Sequence, residues 1–167
     1  MEFGTHHGGS ALYLSFILKY VSNHSRVVSV DLDMRRVDTL VKRDPRIVLI
    51  ESDTASPMVA RRLSDLRLAY PGSILVVLDS DHHKTHVLNE MMVLRDVMKE
   101  GDYMVIEDGN VNGNPVLPGW GDGPMEAIAE YERLFPSGYI HDRSREGKFG
   151  FTFAPNGYLV RTSDNNK

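Results

Sequence analysis

The chain has 167 residues, the length of one domain with a single core, and its composition is ordinary for a globular protein at 41% hydrophobic and 25% charged. The net charge of -4, from 23 acidic and 19 basic residues, argues against a nucleic-acid partner, which usually demands a basic footprint. Cysteine is absent, so disulfides, thiolate zinc sites and cysteine nucleophiles are excluded.

No apolar run is long enough to span a bilayer, and no basic segment leads into an apolar one as in a secretory signal. The cytoplasm is therefore the default location. Residues 1–167 read as a single domain. Met1-Glu2-Phe3 followed by His6-His7 has the look of an expression scar, but the segment runs into the following helix without a break. It reads as native, and as the shortened start of something longer.

Strand and helix alternate along most of the chain. Residues 10–22 predict a helix with Leu14, Ile17, Leu18 and Val21 on one face. Val27–Asp31 is a short apolar strand ending in an acid. Residues 34–43 predict a second, basic helix closed by Pro45. Ile47–Ile50 is the next strand, and residues 57–69 the next helix, with Pro57 in its first turn. Ile74–Leu78 is wholly apolar, as a central parallel strand should be. A helix over 84–99 follows, with Val87, Met91, Leu94 and Met98 in register, and then a strand at Tyr103–Ile106.

Residues 109–123 are too rich in glycine and proline for an element interior, and a loop this long inside a compact domain is usually functional. A helix over 124–134 comes next. Phe149–Phe153 and Tyr158–Arg161 read as two strands joined through Asn156-Gly157, a strong hairpin signal. The expected architecture is a Rossmann-like, three-layer α/β/α fold. Its mostly parallel sheet carries a C-terminal antiparallel hairpin at one edge, and the tail from Ser163 to Lys167 frays.

In open α/β sheets, ligands bind beyond the carboxyl ends of the strands, and three stretches of chemical interest fall there. The first is Glu2-Phe3-Gly4-Thr5-His6-His7-Gly8-Gly9-Ser10. Its glycine spacing differs from the pattern that cradles a dinucleotide pyrophosphate, and the charge of Glu2 would repel one. An acid there suits a cationic ligand, such as the amino or sulfonium group of S-adenosylmethionine. The second is Asp31, placed to accept hydrogen bonds from both ribose hydroxyls. The plainer alternative is that it caps the next helix, a role Asp33 could fill instead. Ser52 and Asp53, after the third strand, would lie near the adenine, with a turn-forming role about equally weighted.

The third stretch is acidic. One strand ends in Asp79-Ser80-Asp81-His82-His83 and the next in Glu107-Asp108-Gly109-Asn110. Adjacent parallel strands would crowd these carboxylates, which is costly without a cation, and oxygen ligands suit Mg²⁺ or another hard divalent ion. The cation would lower the pKa of an acceptor hydroxyl and hold its oxygen in line with a methyl group. His82 or His83 would take the proton, with Asp79 at the reacting centre and Lys84 a weaker candidate base.

With these residues the chain resembles the cephalosporin hydroxylase and rhamnosyl O-methyltransferase family, which shares the class I S-adenosylmethionine-dependent methyltransferase fold. The resemblance runs through nearly the whole chain. Its most specific part is Val105-Ile106-Glu107-Asp108-Gly109-Asn110-Val111-Asn112-Gly113-Asn114-Pro115-Val116, then Pro118-Gly119-Trp120-Gly121 and Gly123-Pro124-Met125-Glu126-Ala127. Leu78-Asp79-Ser80-Asp81-His82 and Asn156-Gly157-Tyr158-Leu159 add to it. The resemblance implies cofactor contacts at Glu2, Gly4, Gly8, Ser10 and Asp31. It implies metal ligands at Glu107, Asp108 and either Asp79 or Asp81, with Asp79 ranked first. The loop around Trp120 looks like a lid over the acceptor, a buried structural tryptophan being the alternative. Members usually carry an additional region before the glycine loop, and relatives suggest assembly into homo-oligomers.

The function implied is a metal-dependent O-methyltransferase acting on a sugar or small natural-product hydroxyl, in lipid or antibiotic biosynthesis. Two other classes stay open. A non-haem iron hydroxylase, or its accessory subunit, would need two histidines and a carboxylate, drawn from His82, His83, His86 and His141. A non-catalytic binding or assembly module would bind cofactor without turnover.

Overall fold

The structure, a computed structural model, describes residues 1–163. Seven strands form one sheet in the order β3-β2-β1-β4-β5-β7-β6. They are β1 (Glu2–Phe3), β2 (Val27–Asp31), β3 (Ile47–Glu51), β4 (Leu75–Leu78), β5 (Tyr103–Ile106), β6 (Tyr139–His141) and β7 (Tyr158–Arg161). The first five in that order run parallel, and β7 pairs antiparallel with both β5 and β6. This is the Rossmann-like α/β architecture expected from the sequence.

The helices are α1 (Gly9–Val21), α2 (Thr39–Arg43), α3 (Pro57–Ala69), α4 (Lys84–Arg95), α5 (Pro124–Leu134) and the short α6 (Arg143–Glu146). Successive strand residues point to opposite faces of a sheet, and the core divides accordingly. Val28, Val30, Val48 and Ile50 pack with Val59 and Leu63 of α3, Met91 and Leu94 of α4, and Ile128 and Tyr131 of α5. Val27, Ile47 and Leu49 face the other way, onto Ala11, Leu14 and Leu18 of α1 and Val41 of α2. The buried Arg67–Asp102 ion pair, 2.7 Å long, ties α3 to the turn before β5. Asp102 also accepts from the backbone N–H groups of Ile74 and Lys99.

Three expected elements differ. The second helix is confined to Thr39–Arg43, because Asp38 caps it by accepting from the Leu40 N–H. The fourth helix stops at Arg95, short of residue 99. Phe149–Phe153 is not a strand: both edges of β7 are taken, one by β5 and the other by β6, so no ladder remains for it. The antiparallel edge is real, but β6 supplies the partner, and Asn156-Gly157 belongs to a turn that leads into β7. The frayed tail expected at 163–167 lies, from residue 164 on, outside the described residues.

A groove of about 980 Å³ opens where β2 and β4 begin, lined by apolar residues of α1 and by Tyr70–Ile74. The carboxylates of interest lie at the other end of the sheet, beyond the strand carboxyl termini.

Candidate active site

Three strands deliver the site. β1 runs into the glycine loop, and β4 and β5 end in acids. Gly4 has φ +97°, and a side chain there would place its first carbon 2.0 Å from the Asp79 carbonyl oxygen. The loop can cross the end of β4 only because residue 4 is glycine. Gly8, also left-handed at φ +84°, precedes the first turn of α1 and abuts Val41. Asp31 grips the loop from the end of β2, its Oδ2 accepting the Thr5 and His6 N–H groups at 2.8 and 2.9 Å. Its Oδ1 takes only a long contact from the Asp33 N–H at 3.3 Å. Asp33 turns its carboxylate to Arg35 rather than capping a helix.

Glu2 is almost wholly buried, and its carboxylate accepts from the hydroxyls of Ser10 and Ser29. It lines a cleft of about 360 Å³ together with Ser10 and Tyr13 on one side and Asp79, Glu107 and Asp108 on another, with Phe153 at its border. The candidate cofactor loop and the acidic cluster therefore open into one space.

Within that space Asp79, His82 and Asp108 each present a ligand atom, all within 4.8 Å of one another. His82 Nε2 lies 3.3 Å from Asp108 Oδ2. The strand ends set this geometry: Asp79 N donates to Phe3 O, and Glu107 N to Leu78 O, holding the turns side by side. Asp108 takes a left-handed backbone, φ +54°, which aspartate tolerates better than most residues. Burial, with the charges of Asp108 and Glu2, outweighs the opposing pull of His82 and raises the Asp79 pKa above the usual carboxylate range. Glu107 is raised too, by burial first and then by Asp79 and Asp108. Half-buried acids set this close together are a donor set suited to a hard divalent cation.

Other candidates are placed elsewhere. Asp81 is not in the cluster; its Oδ1 accepts the His83 N–H and sits 2.6 Å from His83 Nδ1. Asp79 is thus the acid of the pair that faces Asp108 and His82. Lys84 Nζ lies 3.4 Å from Asp122, and the Lys84 N–H donates to the Asp122 carbonyl, so it anchors the long loop. His83 stacks against Trp120 with ring centres 5.8 Å apart. Trp120 is thus half-exposed on the loop rather than buried in the core. Ser52 donates its N–H to the Asp31 carbonyl, and Asp53 turns the chain by accepting the Ala55 N–H.

The two-histidine iron site does not assemble. His82 joins the cluster, but His83 pairs with Asp81, His86 with Glu90 and His141 with Glu132. Among the described residues, one histidine stands with the carboxylates. Two features went unread in the sequence: the aromatic walls Tyr13 and Phe153, and a buried Glu90 beside the site. Glu90 left a signal, an acid on the apolar stripe of Val87, Met91 and Leu94.

The Rossmann-like sheet that gathers the glycine loop and these acids is a fold shared with solved structures. An apo structure of CmcI superposes with a TM-score of 0.73 at 21% identity, over 97% of this chain and 63% of that one. A MycE methyltransferase of the mycinamycin biosynthetic pathway, in complex with Mg and SAH, gives 0.59 at 20% identity over 99% of this chain and 45% of that one. Residues 1–162 match the family model for rhamnosyl O-methyltransferase/CmcI, and the chain belongs to that family. The rhamnosyl O-methyltransferase of Mycobacterium tuberculosis is 47% identical over 161 residues, 96% of this chain. That of Mycobacterium leprae is also 47% identical over 96% of the chain. The chain spans 66% of the length of the first and 70% of the second.

Proposed function

We propose that this chain is the core of an S-adenosylmethionine-dependent O-methyltransferase that uses Mg²⁺ and methylates a sugar hydroxyl. The observation that carries the reading is the shared cleft, where Glu2 and Ser10 of the loop face Asp79, Glu107 and Asp108. The activity for which the mycobacterial relatives are named, rhamnosyl O-methyl transfer, supports the transferase class and a rhamnosyl acceptor. A CmcI structure with Mg and SAM supports the two cofactors.

In this reading the backbone of Gly4 and Gly8 admits the donor close to the strand ends, and Glu2 and Ser10 meet its cationic end. Asp31, one oxygen committed to the loop, keeps the other for the ribose. Ser52 and Asp53 border the adenine. Asp79, Glu107 and Asp108 would hold the cation through carboxylate oxygens, the donors Mg²⁺ prefers. When bound, the cofactors supply an electrophilic methyl group and a cation that acidifies the acceptor hydroxyl. His82 Nε2, 3.3 Å from Asp108 Oδ2 at the cluster, would take up the acceptor's hydroxyl proton. The loop carrying Trp120, pinned through Asp122 to α4 and through Asn112 to Glu126, walls the acceptor side.

Calorimetry with S-adenosylhomocysteine, with and without Mg²⁺, tests the donor site, and labelled methyl transfer to a panel of rhamnosides tests the acceptor. Absence of binding at millimolar concentration would overturn the reading. Binding without transfer to any hydroxylated acceptor would mark a non-catalytic binding module instead.

A further inference from the structure

The core face of α4 holds one acid, Glu90, with no solvent exposure. Its Oε1 accepts from the hydroxyls of Thr54 and Ser80, the latter at 2.5 Å, and lies 3.2 Å from His86 Nε2. Thr54 Oγ1 is also 2.9 Å from His86 Nε2. Glu90 Oε2 is buried with no hydrogen-bond partner among the described residues. A carboxylate in a core costs stability, and an apolar residue would pack the same space without that penalty. Packing therefore does not account for this residue.

Its partners do. Thr54 follows Ser52 and Asp53 in the loop after β3, and the Ser52 N–H donates to the carbonyl of Asp31. Ser80 stands next to Asp79 in the turn after β4. One oxygen atom thus joins the loop after β3, which the proposed function sets beside the adenine, to the turn that carries Asp79. Because both hydroxyls share that oxygen, a shift of either loop is felt by the other. We propose that Glu90 is a positioning residue that couples methyl-donor binding to cation binding. The inference rests on the methyltransferase reading. A ligand that fixes residues 52–54 steadies Ser80, and with it Asp79, before the cation arrives. By linkage the cation does the same for the donor.

The test is calorimetry on the full chain: Mg²⁺ affinity with and without saturating S-adenosylhomocysteine, in wild type and in Glu90→Gln, Thr54→Val and Ser80→Ala. The wild type should bind Mg²⁺ roughly tenfold more tightly when S-adenosylhomocysteine is present, a usual size for such coupling. In Glu90→Gln the ratio should fall close to one, while each ligand alone binds within about threefold of wild type. Thr54→Val and Ser80→Ala each cut one arm of the link. They should lose the same coupling, and they carry the test if Glu90→Gln fails to fold, which thermal melting reveals. A purely structural Glu90 would lower the melting temperature and leave the ratio unchanged. An unchanged ratio in the variants, or a wild type that binds both ligands without coupling, overturns the proposal. A wild type that binds neither ligand fails the methyltransferase reading itself.

Discussion

Replacing Asp108 by Asn should make the metal-free protein more stable and abolish its response to Mg²⁺. The ligand atoms of Asp79 and Asp108 lie within 4.8 Å of each other. Two unit charges at that limit repel by about 1 kcal/mol in water and about 3.5 kcal/mol at the effective dielectric of a protein surface. Asp79 is partly open to solvent and Asp108 about one-third exposed, so the lower part of that range applies, about 1–2 kcal/mol. In a domain of this size each kcal/mol moves the melting temperature by about 2–4 °C. The metal-free variant should therefore melt a few degrees above wild type. Asparagine is the substitution of choice because residue 108 sits at φ +54°, which Asn adopts as readily as Asp. Wild type in Mg²⁺ at a hundred times its dissociation constant should gain about 2.7 kcal/mol, and the variant almost nothing. Differential scanning fluorimetry at pH 8, with Mg²⁺ and with EDTA, reads both effects. The pH dependence has a definite sign. Asp79 and Glu107 are raised in the folded state, so metal-free stability falls as pH climbs from the ordinary carboxylate range through the raised values. The Mg²⁺ shift should grow over the same window and then level off. A variant that melts below wild type without metal, or that keeps the Mg²⁺ shift, refutes the electrostatic account.

Gly4→Ala should destroy donor binding, because its new methyl group would lie 2.0 Å from the Asp79 carbonyl at a backbone angle that disfavours any side chain; S-adenosylhomocysteine titration checks it. Asp102→Asn leaves Arg67 buried without its ionic partner and should cost about 3–5 kcal/mol in urea unfolding, with cofactor affinity of the folded fraction intact. The Glu90 carboxylate raises the pKa of His86 despite partial burial. The stability His86 contributes should thus be complete below the ordinary imidazole range and lost as pH rises through the raised value. Comparing wild type with His86→Gln at pH 5.5 and pH 9 measures this, the gap narrowing at the higher pH. His82→Ala should cut methyl transfer by about 10²–10⁴-fold with S-adenosylhomocysteine affinity unchanged, the range expected for loss of a general base.

The parallel half of the sheet was legible because burial on both faces leaves a plain mark. Leu75–Leu78 is an unbroken apolar run, and the largely apolar β2, β3 and β5 alternate with helical stripes. The antiparallel edge was not legible. Phe149, Phe151 and Phe153 alternate as a strand would, yet they are 84%, 54% and 61% exposed and pair with nothing in the sheet. Alternation reports a residue's suitability for a pleated surface, not whether a free ladder exists to receive it. β6, with three residues, is too short for any periodicity to show, and it pairs with β7 where the aromatic run was expected.

The site divides along the same line. Acids at strand ends could be read directly, since the α/β topology gathers strand carboxyl ends whatever the loops do. Choosing between Asp79 and Asp81 could not, because the choice depends on a turn two residues long. Asp81 sits where its carboxylate can accept the His83 N–H, and that local bond turns it away from the cluster. His82, between them in the chain, is left facing Asp108. The same turn thus brings Asp79 and His82 together with Asp108 and leaves Asp81 bonded to His83. Substituting Asp81 by Ala should consequently weaken Mg²⁺ binding far less than substituting Asp79. It should act instead by freeing His83, which stacks on Trp120. Trp120 is the sole tryptophan, so its fluorescence should change in the Asp81 variant and stay as it was in the Asp79 variant.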